Sequence, residues 1–420
     1  MGVMGTWTDK RYVDNRACLE DAQAAAQKLL AYCRRNDWAG YDPYDALNSK
    51  VVDALPFLNS RIPRLVLTQA LKRSPINIRR FLLIPRKQNP KAIGLFLSAI
   101  LKLSKAGVVN QEVLIELMIE RLIALRSQNV PYWCWGYSFP WQMRTKIVPL
   151  GAPNLVCTVF AAGALLDAYE QRQDSRCLSM AVSAAEYILE KLYWTDGSTL
   201  AGFAYPLSSL RNQVHNANFL AASFLCRVYG HTGRQEFLGP ALKVARYSAR
   251  MQHSDGSWYY GEAPSQRWID NFHTGYNLCA LQAIGGFAGT TEFESCIRRG
   301  FAFYRAHFFL KDGAVRYFHD RTYPVDIHCI AQSIITPLAF KDHDADNIPL
   351  AQLVWQWAMK HMWDERGFFY YRVLRFCTIR TSYMRWSQAW MLLALSVLLR
   401  ELNEALKQPQ TPHSLGSVGG

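Results

Sequence analysis

From residue 153 onward two kinds of helical segment alternate. One kind is apolar on every side: PNLVCTVFAAGALLDAYE from Pro153, VHNANFLAASFLCRVYG from Val214, DNFHTGYNLCALQAIGG from Asp270, DIHCIAQSIITPLAF from Asp326 and MRWSQAWMLLALSVLLREL from Met384. The other kind, at 177–193, 236–252, 292–308 and 349–363, carries charges on one face and apolar residues at three-to-four spacing. A helix with an apolar stripe lies between core and water, whereas one that is apolar all round is enclosed. The alternation predicts two concentric layers, with the apolar helices inside.

The apolar segments start 61, 56, 56 and 58 residues apart. Between them recur Asp196-Gly197, Asp255-Gly256, Asp312-Gly313 and a degenerate copy from Asp364 to Gly367, each followed by aromatic residues in an extended pattern. Asp-Gly suits a tight turn because glycine accepts positive φ, and the aromatic run suits a short hairpin arm. With helices expected near 16–36, 53–72, 91–105 and 109–127, the count reaches about six hairpins. The fold class that follows is all-α, an (α/α)6 toroid with short β-hairpin arms at its funnel mouth. An open solenoid would need polar terminal caps, and the last helix is apolar. Residues 1–407 read as one toroid domain and 408–420 as a disordered tail.

Composition adds two constraints. Ten cysteines at irregular spacing form no C-x-x-C pair, which reads as reduced, buried thiols in a cytoplasmic protein. The first residues hold no apolar leader, and no window offers the ~20 apolar residues of a membrane span. The net charge of +14 is uneven: Ala54 to Gln111 holds no acidic residue but eleven basic ones. Such a stretch is either a solvated face or an attractor of acidic polysaccharide, anionic lipid or a lipid-pyrophosphate-linked substrate, with peripheral association to a membrane synthesis complex as one consequence. No nucleic-acid-binding motif accompanies it.

Polar residues crowd the first turns of the apolar segments and then stop. They are Asn154; His215, Asn216 and Asn218; Asp270, Asn271 and His273, with Tyr276; Asp326 and His328, with Gln332; and Arg385 with Gln388. In a toroid the inner helices run the same way, so these first turns meet at one end. Helix N-termini add free N–H groups that suit oxygen-rich ligands. Capping explains the Asp and Asn residues equally well; it explains three histidines near helix starts poorly.

Aromatic residues frame the same end: Trp135 and Trp141 within a run of six aromatics at 132–141, then Trp258, Tyr260, Trp268 and Trp386. Sugar rings pack C–H faces on aromatic rings and need polar partners for their hydroxyls. Arg144 and Glu262 stand beside these arms, and Asp45 ends an aromatic turn at 38–45 whose alternative is a Pro-stabilised cap.

The runs YDPYDALNSK, WGYSFPWQMR, VHNANFLAA, DGSWYYGE, WIDNFHTGYNL, DIHCIAQSIIT and MRWSQAWMLLAL resemble the VpsJ-type bacterial exopolysaccharide biosynthesis proteins over roughly residues 38–400. The resemblance implies a six-hairpin-glycosidase-like fold and a role beside polysaccharide synthesis, without an assigned catalytic set. Three reaction classes then compete, with hydrolysis placed first because toroids of the type the resemblance implies most often use paired acids. Glycoside hydrolysis needs two carboxylates, Asp270 and Asp326, with Asp45 or Glu262 as alternatives. A uronate lyase or C5-epimerase needs proton carriers such as His215, His273 and Tyr276. A glycan-binding subunit needs only the aromatics and amides. Cys134, Cys329 and His328 are the thinkable zinc ligands, but their spacing makes no recognisable site, so no metal and no cofactor are expected.

Overall fold

The computed structural model describes residues 14–407 apart from 56, 57, 59, 110, 144 and 145. Fourteen α-helices dominate these residues. Helix α1 (Asn15–Arg35) comes first, followed by the short α2 (Lys50–Asp53) and by α3 (Arg61–Arg73). Five hairpins follow: α4 (Pro90–Lys105) with α5 (Glu112–Ala124), α6 (Leu155–Arg172) with α7 (Ser175–Tyr187), α8 (His215–Thr232) with α9 (Gln235–Arg250), α10 (Asn271–Ala288) with α11 (Glu294–Phe308), and α12 (Ile327–Ala339) with α13 (Asn347–Met362). Helix α14 (Trp390–Lys407) ends the described chain. Helices α4, α6, α8, α10, α12 and α14 each pack on the next, and α14 packs on α4, closing the ring. The expected all-α toroid is therefore the observed one.

The sixth outer helix is α1, which packs on α14; the Tyr32 hydroxyl donates to Ser382 across the closure. The helix expected near 53–72 is not a ring member. It is split into α2 and α3, and α3 buries only Thr68 and Leu71 while Ile62 and Val66 face outward. One narrow buried stripe supports a cap on the surface, not a place between two layers.

Local chemistry sets the ends of the inner helices. The side chains of Asn154, Asp270 and Asp326 accept backbone N–H groups as N-caps of α6, α10 and α12. Gln173, Gly233 and Gly289 end α6, α8 and α10 in the left-handed conformation. Turns from inner to outer helix are short, whereas those from outer to inner carry the arms, so the arms collect where the inner helices begin. Strands β1 (Trp141–Gln142) and β2 (Ile147–Val148) pair, as do β3 (Tyr193–Thr195) and β4 (Ala201–Phe203). Strand β5 (Val325–Asp326) joins a later sheet, and β6 (Trp363–Asp364) pairs with β7 (Phe368–Phe369). Strands β8 (Arg372–Val373) and β9 (Thr378–Ile379) complete the sheet in the order β5-β8-β9.

All four expected turns form alike. Asp196, Asp255, Asp312 and Asp364 each accept the backbone N–H two residues on. Each turn then closes on a glycine with φ between +86° and +94°. At Gly256 a Cβ would also lie 2.3 Å from the Arg299 carbonyl oxygen, so this turn excludes any side chain on two counts. The tail 408–420 lies outside the described residues.

Candidate active site

The first turns of α10 and α12 meet around the ring of Phe272. Its centroid lies 4.1 Å from that of His273 and 4.5 Å from that of His328, which stacks on it. Tyr276, Tyr317 and Trp386 stand around the same ring at 5.8 Å each. Tyr260 stacks on Trp268 at 4.6 Å and reaches His273 at the same distance, extending the aromatic wall toward solvent.

His273 is oriented by Asp270. The Nδ1 atom lies 2.7 Å from Asp270 Oδ2, which also accepts the indole N–H of Trp268 at 2.9 Å, while Oδ1 caps the His273 amide. In the neutral ring, a carboxylate at Nδ1 selects the tautomer with the N–H there and the lone pair on Nε2. The imidazole keeps 20% of its surface exposed, so it is reachable from the mouth.

His328 is held differently. Its Nε2 lies 2.5 Å from the Tyr276 hydroxyl, and its buried Nδ1 has no partner among the described residues. Burial first, then the charges of Lys91 and Arg385, hold the imidazole well below its ordinary pKa, and burial pushes the Tyr276 phenol well above its own. Tyr276 is therefore the donor and His328 the neutral acceptor.

Asp326 is fully engaged. Its Oδ1 caps α12 and accepts the Trp386 indole N–H at 2.8 Å, and its Oδ2 takes the Arg372 guanidinium. The expected acids Asp270 and Asp326 thus both sit at the mouth, each committed to internal donors. Arg385 and Trp386 lie in a π-helical segment (Met384–Ala389) leading into α14, a local widening that often marks functional positions. Arg385 makes a two-point ion pair with Asp42 at 2.7 and 2.8 Å and faces Tyr137 and Phe139. Trp141 packs on both of these rings.

Several other expected residues are built into the walls. His215 lies 3.3 Å from Ser248 on the outer helix α9, and Asn218 bonds Ser248, Gln213 and the Phe203 amide. Asn271 joins Tyr304 and Ser333 between layers, and Gln332 turns to Thr336. Gln388 pairs with both backbone groups of Phe369, Asn154 holds the Pro206 carbonyl, and Glu262 accepts from Tyr247. Trp135 and Trp258 are buried with their indole N–H groups on the Leu122 and Ser248 carbonyls. Asp45 is buried against Arg79 at 2.8 Å and holds the 42–45 turn. Asn216 is buried with Oδ1 unpartnered among the described residues, outside which Arg144 lies.

One residue at the mouth escaped the sequence reading. Lys91, second in α4, is buried with its Nζ 4.0 Å from the Phe160 centroid, 5.3 Å from Trp390 and 5.8 Å from Tyr276. No carboxylate among the described residues pairs with it. Burial, helped by Arg385, drives its pKa well below the ordinary amine value. Two surface clefts flank the mouth, of about 500 Å³ beside Arg86, Lys87 and Tyr137 and about 280 Å³ beside Trp268 and His319. Neither is lined by His273 or His328. No group of three side chains able to hold a metal ion gathers among the described residues.

No family model matches the chain, and no curated protein matches its sequence. Solved structures do match in shape. The unsaturated glucuronyl hydrolase of Streptococcus agalactiae gives a TM-score of 0.61 at 10% identity over 94% of each chain. The cellobiose 2-epimerase of Bacillus thermoamylovorans gives 0.58 at 13%, over 76% of this chain and 90% of that one. A family 76 α-mannanase of Bacteroides thetaiotaomicron gives 0.58 at 13%, over 76% and 87%. At such identities the likeness establishes the fold, an (α/α)6 toroid.

Proposed function

We propose that the chain is a carbohydrate-active enzyme that moves a proton at a sugar carbon, an epimerase or lyase, in preference to a glycoside hydrolase. The carrying observation is the pair of proton-transfer units against one Phe272 ring: His273 backed by Asp270, and Tyr276 bonded to His328. His273 Nε2 takes the proton from a carbon made acidic by a neighbouring carbonyl or carboxylate, and Asp270 stabilises the imidazolium. Tyr276 gives its hydroxyl proton from the other side, with His328 as the acceptor that orients that hydroxyl, and solvent restores the phenol. Return to the carbon inverts it; loss of a leaving group from the next carbon gives an unsaturated product. Arg385, held by Asp42, supplies fixed positive charge beside Trp386 for the developing oxyanion.

Hydrolysis would need one carboxyl group to protonate the leaving oxygen and another to activate water. Asp270 and Asp326 have their oxygens filled by Trp268, His273, Trp386 and Arg372, which weighs against that use. Epimerases and hydrolases both stand among the proteins similar in fold. The VpsJ-type resemblance supports a sugar unit of an exopolysaccharide as substrate.

The test is product analysis by NMR on reducing disaccharides and uronate oligosaccharides. Inverted centres or unsaturated uronides are expected. New reducing ends with neither would overturn the reading in favour of hydrolysis.

A further inference from the structure

The cap formed by α3 and the turn after it shows an apolar outer surface. Phe81 is 81% exposed, Ile62 71%, Ile76 70%, Val66 61% and Leu83 57%. Ile62 and Val66 are four residues apart on α3 and share its outer face, with Arg73 further along the same stripe. The inner side of the cap is satisfied separately, with Leu67 and Leu82 packed on Ala46, Leu71 and Ile84. Leu83 adopts φ +49°, a left-handed conformation that costs a non-glycine side chain energy. A strained turn that presents leucine to water is poorly explained by folding alone.

Charge indicates what covers this face. Several surface cations elsewhere are answered by carboxylates, as in Arg172–Glu116, Arg227–Glu170 and Arg246–Glu292. On the cap, Arg61, Arg73 and Arg80 are exposed and pair with no carboxylate among the described residues. The chain supplies none nearby, since residues 54–111 contain no acid. Apolar side chains projecting among unopposed arginines are complementary to an anionic lipid surface, where the former enter the acyl boundary and the latter meet headgroup phosphates. No helix among the described residues is long and apolar enough to cross a membrane.

We propose that the face bearing Ile62, Val66, Phe81 and Leu83 docks the protein on an anionic membrane surface, with Arg61, Arg73 and Arg80 on headgroup phosphates. Lys72, on the other side of α3, bonds the Tyr44 hydroxyl at 2.6 Å and stands over Trp386, so docking brings the funnel mouth beside the bilayer. This inference is independent of the reaction assigned to the funnel.

The experiment is flotation of the full chain with vesicles of phosphatidylcholine alone and of equimolar phosphatidylcholine and phosphatidylglycerol. Binding is expected to the mixed vesicles only, and to weaken as salt is raised. Combining Ile62→Ser, Phe81→Ser and Leu83→Asn is expected to lower partition at least about tenfold, with the circular dichroism melt unchanged. Replacing the three arginines by glutamine is expected to lower it roughly fivefold per residue. Absence of binding to mixed vesicles, or equal binding to both kinds, would overturn the proposal. So would a concentration-dependent dimer that the apolar triple variant abolishes, which would assign the face to a second copy of the chain.

Discussion

The starts of α8 and of α10 and α12 occupy equivalent places in the repeat, and each carries a buried or half-buried histidine. Their surroundings differ. His215 of α8 meets Ser248 of the outer ring, whereas His273 and His328 both lie against the Phe272 ring. The first turn of an inner helix thus serves the wall in one repeat and the Phe272 cluster in the next. Direction decides between them, because a helix start offers both faces within two residues: His215 is first in α8, His328 second in α12 and His273 third in α10.

The largest expected consequence is catalytic. His273→Asn or His328→Asn is expected to lower kcat by about 10²- to 10⁴-fold with the fold intact, while His215→Asn leaves kcat nearly unchanged. Steady-state kinetics beside thermal melts check this. Equal losses in all three variants would erase the distinction.

The two capping acids sharpen it. Asp326→Asn leaves the Arg372 guanidinium, 11% exposed, without a carboxylate and is expected to cost about 3–5 kcal/mol in urea unfolding. Asp270→Asn keeps the cap acceptor and is expected to cost stability far less, and activity instead, by weakening the hold on His273 Nδ1.

Acid should expose the wall histidine. Burial brings His215 down from 6.5 to about 4. The unfolded chain therefore binds that proton first, and the stability present above pH 6.5 is lost as pH falls through about 4, by up to about 3 kcal/mol. In His215→Asn this part of the acid limb should flatten, as read by unfolding at stepped pH. The smallest effect is at its partner: Ser248→Ala should cost about 1 kcal/mol of stability and no activity.

Much of this organisation is written in local chemistry. The Asp-Gly turns need only four residues each to specify positive φ, and the all-round apolar segments declare enclosure without reference to any neighbour. The caps Asp270 and Asp326 are legible for the same reason. What a helix start faces is not, since the partners of His215 and His328 lie 33 residues away in one case and 52 in the other. Lys91 was accessible to the first-turn rule, being second in a helix with no other charge before Lys102. It escaped because the closure that makes α4 an inner helix depends on α1 pairing with α14 from the far end of the chain. Arg372 and Asp42 owe their roles to similar long-range pairings, Arg372 with Asp326 and Asp42 with Arg385.

The decisive measurement is solvent deuterium wash-in at carbon, followed by mass spectrometry and NMR on a panel of reducing disaccharides and uronate oligosaccharides. For a substrate that the parent chain turns over, deuterium should enter the carbon beside the carbonyl or carboxylate, or its exchange should accompany formation of the unsaturated product. That signal should survive in His215→Asn and vanish in His273→Asn and His328→Asn. Turnover with no carbon–hydrogen exchange, or exchange that persists without His273 and His328, would contradict the assignment of His273 as the base and of His328 as the group that positions Tyr276.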